Sequence, residues 1–291
     1  MNCKEIILPF QKDQDENPEQ MNTTSHNIKD FFHSINNVNE IYTNNDDVDY
    51  ENDNDNPEIN CKYIDVDSFN YKENAKNLSL FHLNIASLCK HKEELEYILN
   101  QLNFKFYIIG ITETKTLKEI NPIFDYNLKG YNAFHTATES HFGGTLLYVS
   151  DNLKAKQRKD IETKLYKSKE LESTFVEIIN QGKRNIKASC IYRHSSMDLD
   201  NFNHNFLNYL MQSLVKEAKN VFLMGDFNVD LLKINHDNQV SHFFDILSSN
   251  LFIPHIIHPT RINMNSINQR TSKTLIDNIF HTLKLFRRYF G

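Results

Sequence analysis

The sequence predicts an α/β fold in which helices cover the faces of β-sheets. Short apolar runs rich in β-branched and aromatic residues alternate with segments of helical period, and several of the runs end in a polar residue. The chain has 291 residues, 40% of them hydrophobic, with 21 Phe, 13 Tyr and no Trp. That is enough for one large α/β domain or two small ones. Taken in order, a strand is expected over 78–83, a helix over 91–102 and a buried strand over 106–111. Further strands are expected over 145–149, 174–179 and 186–192, where branched and aromatic side chains suit a pleated, half-buried surface. Apolar residues recur at helical period over 202–218 and 240–251, and the run Val221-Phe222-Leu223 between them reads as a short buried strand. Helices interleaved with strands argue against an all-β fold. No internal repeat is visible.

The first part of the chain has a different texture. Residues 1–60 hold 14 Asp or Glu against Lys4, Lys12 and Lys29, a net of −11, which leaves +5 on the remainder of a chain whose total is −6. Residues 44–56 are almost free of apolar side chains, so this stretch cannot bury enough surface to offset its ordering entropy. The domain boundary is therefore placed at Leu78, with 1–77 an acidic Asn/Asp-rich segment expected to be mostly disordered and 78–291 a folded domain. Ile28, Phe31, Phe32, Ile35 and Val38 recur at helical spacing inside the acidic segment, a transient amphipathic helix. A mildly basic domain is compatible with a polyanionic partner, although many ordinary domains carry such a charge.

Several classes are excluded by composition. No apolar run has the length of a membrane span, and no basic n-region precedes an apolar stretch at the N-terminus. Cys3, Cys61, Cys89 and Cys190 form no C-x-x-C pair and read as reduced thiols, not as a zinc site or a disulfide frame. The expectation is an intracellular protein, nuclear or cytoplasmic, neither secreted nor bound to a membrane.

The most informative stretch is Met224-Gly225-Asp226-Phe227-Asn228, closing the strand at 221–224. Asp226 and Asn228 lie two residues apart, so alternation along a strand puts both heads on one side of the backbone. A carboxylate to coordinate or activate and an amide to orient is what metal-assisted phosphodiester cleavage needs. Gly-Asp also marks plain turns. Four more apolar runs end in polar residues: Leu80 to Leu83 in Asn84, Ile108 to Thr112 in Glu113, Cys190-Ile191 in Tyr192, and Thr274 to Ile276 in Asp277. Each has an ordinary reading: Asn84 as a turn residue, Glu113 beside a helix N-cap, Tyr192 as a half-buried core aromatic, Asp277 as a solvated strand end.

The ordered set Asn, Glu, Tyr, Asp-x-Asn, Asp resembles the endonuclease/exonuclease/phosphatase superfamily, and within it the apurinic-like endonuclease domain of LINE-type (non-LTR) retrotransposons. The resemblance is carried by His82-Leu83-Asn84-Ile85, Ile111-Thr112-Glu113-Thr114, Gly143-Gly144-Thr145-Leu146-Leu147-Tyr148 and Ile191-Tyr192-Arg193-His194. Gly225-Asp226-Phe227-Asn228, His258-Pro259-Thr260-Arg261-Ile262 and Thr274-Leu275-Ile276-Asp277-Asn278-Ile279-Phe280 continue it. It implies a four-layer sandwich, two mixed β-sheets face to face with helices outside. It further implies that Glu113 and Asn84 hold Mg²⁺ or Mn²⁺, that Asp226 aligns the attacking water, and that Asn228 holds a phosphate oxygen. Tyr192 would donate its hydroxyl to the scissile phosphate, and Asp277 would orient the family's partner histidine. DNA is the implied substrate.

One departure bears on activity. The family closes with a Ser-Asp-His motif on a final strand, and the 291 residues hold none after Asp277. The expectation is a truncated domain, its last strand missing and a sheet edge left unpaired, with weak or no nuclease activity. His281 lies four residues past Asp277, about 13 Å along an extended chain, and does not substitute. His194 is expected on an exposed loop, and His255 and His258 at alternating strand positions. Two other readings stand beside the endonuclease: an inactive transposon relic still binding nucleic acid, and the same fold acting on phosphoinositides, sphingomyelin or poly(A).

Overall fold

The computed structural model describes residues 4–5, 61–71, 78–119, 123–179, 185–217, 220–265 and 270–282. The helix expected around Phe31 and the disorder expected over 44–56 lie outside them.

Two sheets dominate. The first runs β1-β2-β3-β5-β4, from β1 (Lys4–Glu5), β2 (Ser79–Asn84), β3 (Ile108–Thr112), β4 (Tyr131–Thr136) and β5 (Thr145–Ser150). The second runs β10-β13-β9-β8-β7-β6, from β6 (Ala155–Gln157), β7 (Leu171–Ile178), β8 (Ile186–Arg193), β9 (Asn220–Asp226), β10 (Phe252–Pro254) and β13 (Asp277–Thr282). A separate hairpin joins β11 (Arg261–Asn265) to β12 (Arg270–Thr274). β2 pairs in parallel with β1 and β3, and β8 with β9, while the remaining pairs are antiparallel, so both sheets are mixed. The strands carrying Asn84 and Asp277 are both interior: β2 lies between β1 and β3, and β13 between β9 and β10.

The sheets pack face to face, β2 and β3 against β9 and β5 against β7 and β8. Cys190 Sγ lies 3.3 Å from Ile111 O across the interface, and a Cβ on Gly110 would come 2.3 Å from Met224 Sδ. The sheets thus approach closely where the sequence has only a glycine hydrogen to offer. Cys89 and Cys190 are thiols outside any disulfide, as expected.

Helices cover the outer faces. α1 (Leu88–Leu102) connects β2 to β3 and buries Leu88, Leu95 and Leu102, one residue every two turns, against Phe81, Phe106, Ile109 and Tyr148. Asn103 ends it in the left-handed conformation, φ 45°. It starts three residues before the expected position because a separate turn, broken by non-helical angles at His91, precedes the regular part. α2 (Lys159–Leu165) packs on β7. The segment before β9 is an α-turn (Leu199–Asn201), a π-helix (Phe202–Leu207) and α3 (Asn208–Glu217). α4 (Asn238–Ser249) is capped by Asp237, whose side chain accepts from Gln239 N and Val240 N. Phe243 of α4 meets Phe227 and Phe280 at the centre of this layer. Helix, sheet, sheet, helix is the expected four-layer order.

Upstream of the expected boundary, Val66, Phe69 and Tyr71 pack against the α1 core, and Tyr63 stacks on His258 at 5.3 Å. β4, β6 and the β11–β12 hairpin are elements the periodicity did not signal, because their exposure follows no clean alternation or they are too short. β10 ends at Pro254, so His255 and His258 are not alternating strand residues as expected. No helix among the described residues is long and apolar enough to cross a membrane.

Candidate active site

The strand register assembles the second sheet's half of the site. Glu172 pairs with Tyr192, Tyr192 with Asp226, and Asp226 with Asp277. Directly paired residues point to one face, so these side chains form a single row across β7, β8, β9 and β13. The row lies where the parallel strands β8 and β9 end, the usual position for a ligand in such sheets. Gly225 precedes Asp226 because the backbone there touches its neighbour: a Cβ would lie 1.9 Å from Ile191 O.

The first sheet contributes Asn84 at the end of β2 and Glu113 just past β3. Asn84 Nδ2 donates to Glu113 Oε1 at 2.8 Å and to Asp226 Oδ2 at 2.9 Å, joining the two sheets through one amide group. Glu113, Lys115, Ala86 and Asn228 all have positive φ, between 48° and 55°. Non-glycine residues held in this conformation cost free energy, and such positions cluster at functional sites.

Asn228 sits beside this constellation. Its backbone N–H donates to Asp226 Oδ1 at 3.0 Å, and its Nδ2 donates to Arg193 O at 2.6 Å, so one amide hydrogen is committed to the scaffold. Arg193 in turn donates from Nε to Phe227 O and from Nη2 to Asn228 O, clamping the loop after β9. Burial pulls its guanidinium down to about 10.

The acids are crowded. Burial pushes the Asp226 carboxyl up, Glu113 adds to this, and Arg261 opposes it with Nη2 at 2.7 Å from Asp226 Oδ2. Asp277 is pushed up to about 7, first by burial and then by Asp226. Its Oδ2 accepts from Thr260 Oγ1 at 3.0 Å, while its Oδ1 is buried without a hydrogen-bond partner among the described residues. Burial, with Glu113 and Asp226, raises the Tyr192 phenol well above its ordinary range, so it stays protonated and a donor.

All six residues singled out in the sequence (Asn84, Glu113, Tyr192, Asp226, Asn228 and Asp277) thus belong to one neighbourhood. Others there were given no role by the sequence. Arg261 and Lys115 are counter-charges, Lys115 Nζ lying 3.3 Å from Glu113 Oε2. Glu172 is fully buried, accepts from Gly144 N, and keeps Oε1 unpartnered. His194 is buried, not exposed as expected: its ring lies 4.7 Å edge-on to Tyr192 and its Nε2 is 3.6 Å from Glu172 Oε2. Strand alternation from Tyr192 was the available signal for His194.

No cluster of three or more His, Cys, Asp or Glu among the described residues is spaced to hold a metal ion. The donor chemistry nevertheless fits a hard cation: the Glu113 and Asp226 carboxylates are oxygen ligands of the kind Mg²⁺ takes together with water, and the Asn84 carboxamide, whose Nδ2 faces both acids while its Oδ1 accepts from Ala86 N, would join them with its amide turned over. Asp226 and Asp277 are raised first by burial, and Arg261 opposes the shift in both.

Two packed mixed sheets covered by helices, with polar groups converging at the strand ends, constitute the endonuclease/exonuclease/phosphatase fold. The endonuclease domain of TRAS1, a telomere-specific non-LTR retrotransposon, superposes with a TM-score of 0.50 at 14% identity, covering 70% of this chain and 84% of that one. The AP endonuclease LMAP from Leishmania major gives 0.50 at 12%, covering 70% and 78%. The 3′ phosphatase NExo from Neisseria, bound to a product DNA hairpin, gives 0.50 at 11%, covering 70% and 86%. No family model matches the sequence, and no curated protein does.

Proposed function

We propose that this protein is a divalent-cation-dependent phosphodiesterase that nicks DNA, of the kind found in LINE-type retrotransposons. The observation that carries the reading is the Asn84 amide bridging Glu113 and Asp226, which focuses acids from two sheets on one point. Bound Mg²⁺, held by Glu113 and Asn84, would neutralise charge developing on the phosphoryl oxygens. Asp226 aligns the attacking water, and burial raises its affinity for a proton, the direction a general base needs. Tyr192 donates its phenolic hydrogen to a phosphate oxygen, and the remaining amide hydrogen of Asn228 does the same. Asp277 pairs with Asp226 across the strands, and its buried Oδ1, without a hydrogen-bond partner among the described residues, is the acceptor that would orient a partner imidazole. Such work places the protein with nucleic acid inside the cell.

A specific observation favours the second reading, a non-catalytic nucleic-acid binder. Arg261 already contacts Asp226 and Lys115 already contacts Glu113, so protein cations partly neutralise both acids. One assay separates the two: nicking of supercoiled plasmid by the purified chain with Mg²⁺, beside EDTA and Asp226→Ala. Nicking abolished in both controls establishes the phosphodiesterase. No nicking by a folded protein that still retards DNA in a gel establishes the binder.

A further inference from the structure

Phe142 is an apolar ring held out into solvent at the rim of the site. It is 61% exposed, in the loop between β4 and β5. Its backbone is fixed from both sides. Thr138 Oγ1 and Ser140 Oγ both donate to Phe142 O, at 2.7 and 2.8 Å, and Phe142 N donates to Ser140 Oγ at 3.3 Å. The following Gly143 and Gly144, with φ of 87° and 83°, dock on the segment after β3 through Lys115 N donating to Gly143 O and Thr114 N to Gly144 O. Gly144 N also donates to buried Glu172, and a Cβ on Gly143 would lie 2.0 Å from Glu172 Oε2. The loop is therefore seated on the cross-strand row itself, and these bonds hold the backbone from which the ring projects.

The ring's surroundings are as specific. Lys115 Nζ sits 5.7 Å from the Phe142 centroid and 3.3 Å from Glu113 Oε2, so one ammonium spans the distance between the acid and the ring. Among the described residues no other aromatic ring packs on Phe142. An exposed ring on a hydrogen-bonded loop, beside a lysine, is the combination that binds unstacked nucleobases: the ring offers its face to the base and the cation meets the adjoining phosphate.

We propose that Phe142 stacks on an unpaired nucleobase next to the scissile phosphodiester, with Lys115 on the neighbouring phosphate, so that the preferred substrate is DNA carrying an unpaired base, not uninterrupted duplex. This rests on the nucleic-acid reading above. Phe142 is a specificity residue and takes no part in holding a cation.

The test is binding by the full chain, without added metal, to an oligonucleotide duplex bearing one unpaired 2-aminopurine, beside the same duplex fully paired. Wild type is expected to quench the probe and to bind the unpaired form more tightly. Phe142→Ala and Phe142→Leu are expected to weaken that binding roughly 5- to 150-fold and to lose the quench, while Phe142→Trp keeps both. The paired duplex should discriminate little between variants, and their melting temperatures should match wild type because the side chain is exposed. Equal affinity and quench for wild type, Phe142→Ala and Phe142→Leu would overturn the stacking role and leave the nuclease reading intact. Failure of wild type to bind either DNA, with binding to anionic phospholipid vesicles instead, would overturn both.

Discussion

Replacing Arg261 by Met removes the guanidinium paired with Asp226 while keeping most of the side chain's length and apolar stem. Asp226 is fully buried, and its Oδ2 then keeps only the Asn84 amide, with Asn228 N still on Oδ1. Breaking a fully buried ion pair costs about 3–5 kcal/mol. Arg261 is itself 39% exposed, so water takes up part of its place and the cost falls to about 1–3 kcal/mol. At about 2–4 °C per kcal/mol for a domain of this size, the melting temperature should drop by about 2–12 °C. The loss arises from uncompensated charge, so Asp226→Asn added to Arg261→Met should recover most of it, a double-mutant cycle readable by calorimetry or by circular dichroism on heating. Mg²⁺ should also raise the melting temperature of Arg261→Met more than that of wild type, since a cation bound to the native state alone stabilises it. Two results would refute this reasoning: Arg261→Met melting with wild type, or Asp226→Asn destabilising the Arg261→Met background further.

Gly225→Ala places a Cβ 1.9 Å from Ile191 O, where only backbone can yield, so the parallel pairing of β8 and β9 should be lost along with most soluble expression; a protein folding normally would contradict the register. Burial holds His82 and His255 neutral, at about 3 and about 4 against an ordinary 6.5, so the stability they contribute is present above 6.5 and drains away as pH falls towards 4. Asp277, raised from 3.8 to about 7, acts in the opposite sense, its contribution being lost as pH rises through 7, so it masks part of the acid loss. Asp277→Asn should therefore steepen the fall in urea-unfolding free energy below pH 6.5 by about 1.4 kcal/mol per pH unit, and an unchanged slope would sink the assignment.

Local rules determine a large share of this protein. Alternation and β-branched composition locate β2, β3, β5, β7, β8 and β9, because a buried strand demands such side chains wherever it sits. The same reasoning puts Asn84, Glu113, Tyr192 and Asp226 at or near strand ends, since an apolar run must stop where polar groups begin; Asp277, expected to close a strand at 274–276, instead opens β13 after Leu275 and Ile276, which lie between strands. The Leu88, Leu95, Leu102 stripe likewise fixes which side of α1 faces the sheet.

What local rules could not supply depends on which strands become neighbours. Glu172 enters the site only because β7 pairs with β8 in a register that sets it opposite Tyr192. Arg261 reaches Asp226 across 35 residues of sequence, and Lys115 reaches Glu113 only because the backbone between them runs through two left-handed residues. His194 read as a loop residue, yet the β4–β5 loop and Glu172 close over it. Periodicity reports whether a side chain must leave water. The register of distant strands, set by the fit of one whole sheet on the other, decides which charge it then meets; burial raises Asp226 and Asp277, and the neighbours that register brings, Arg261 and the acids, adjust that shift.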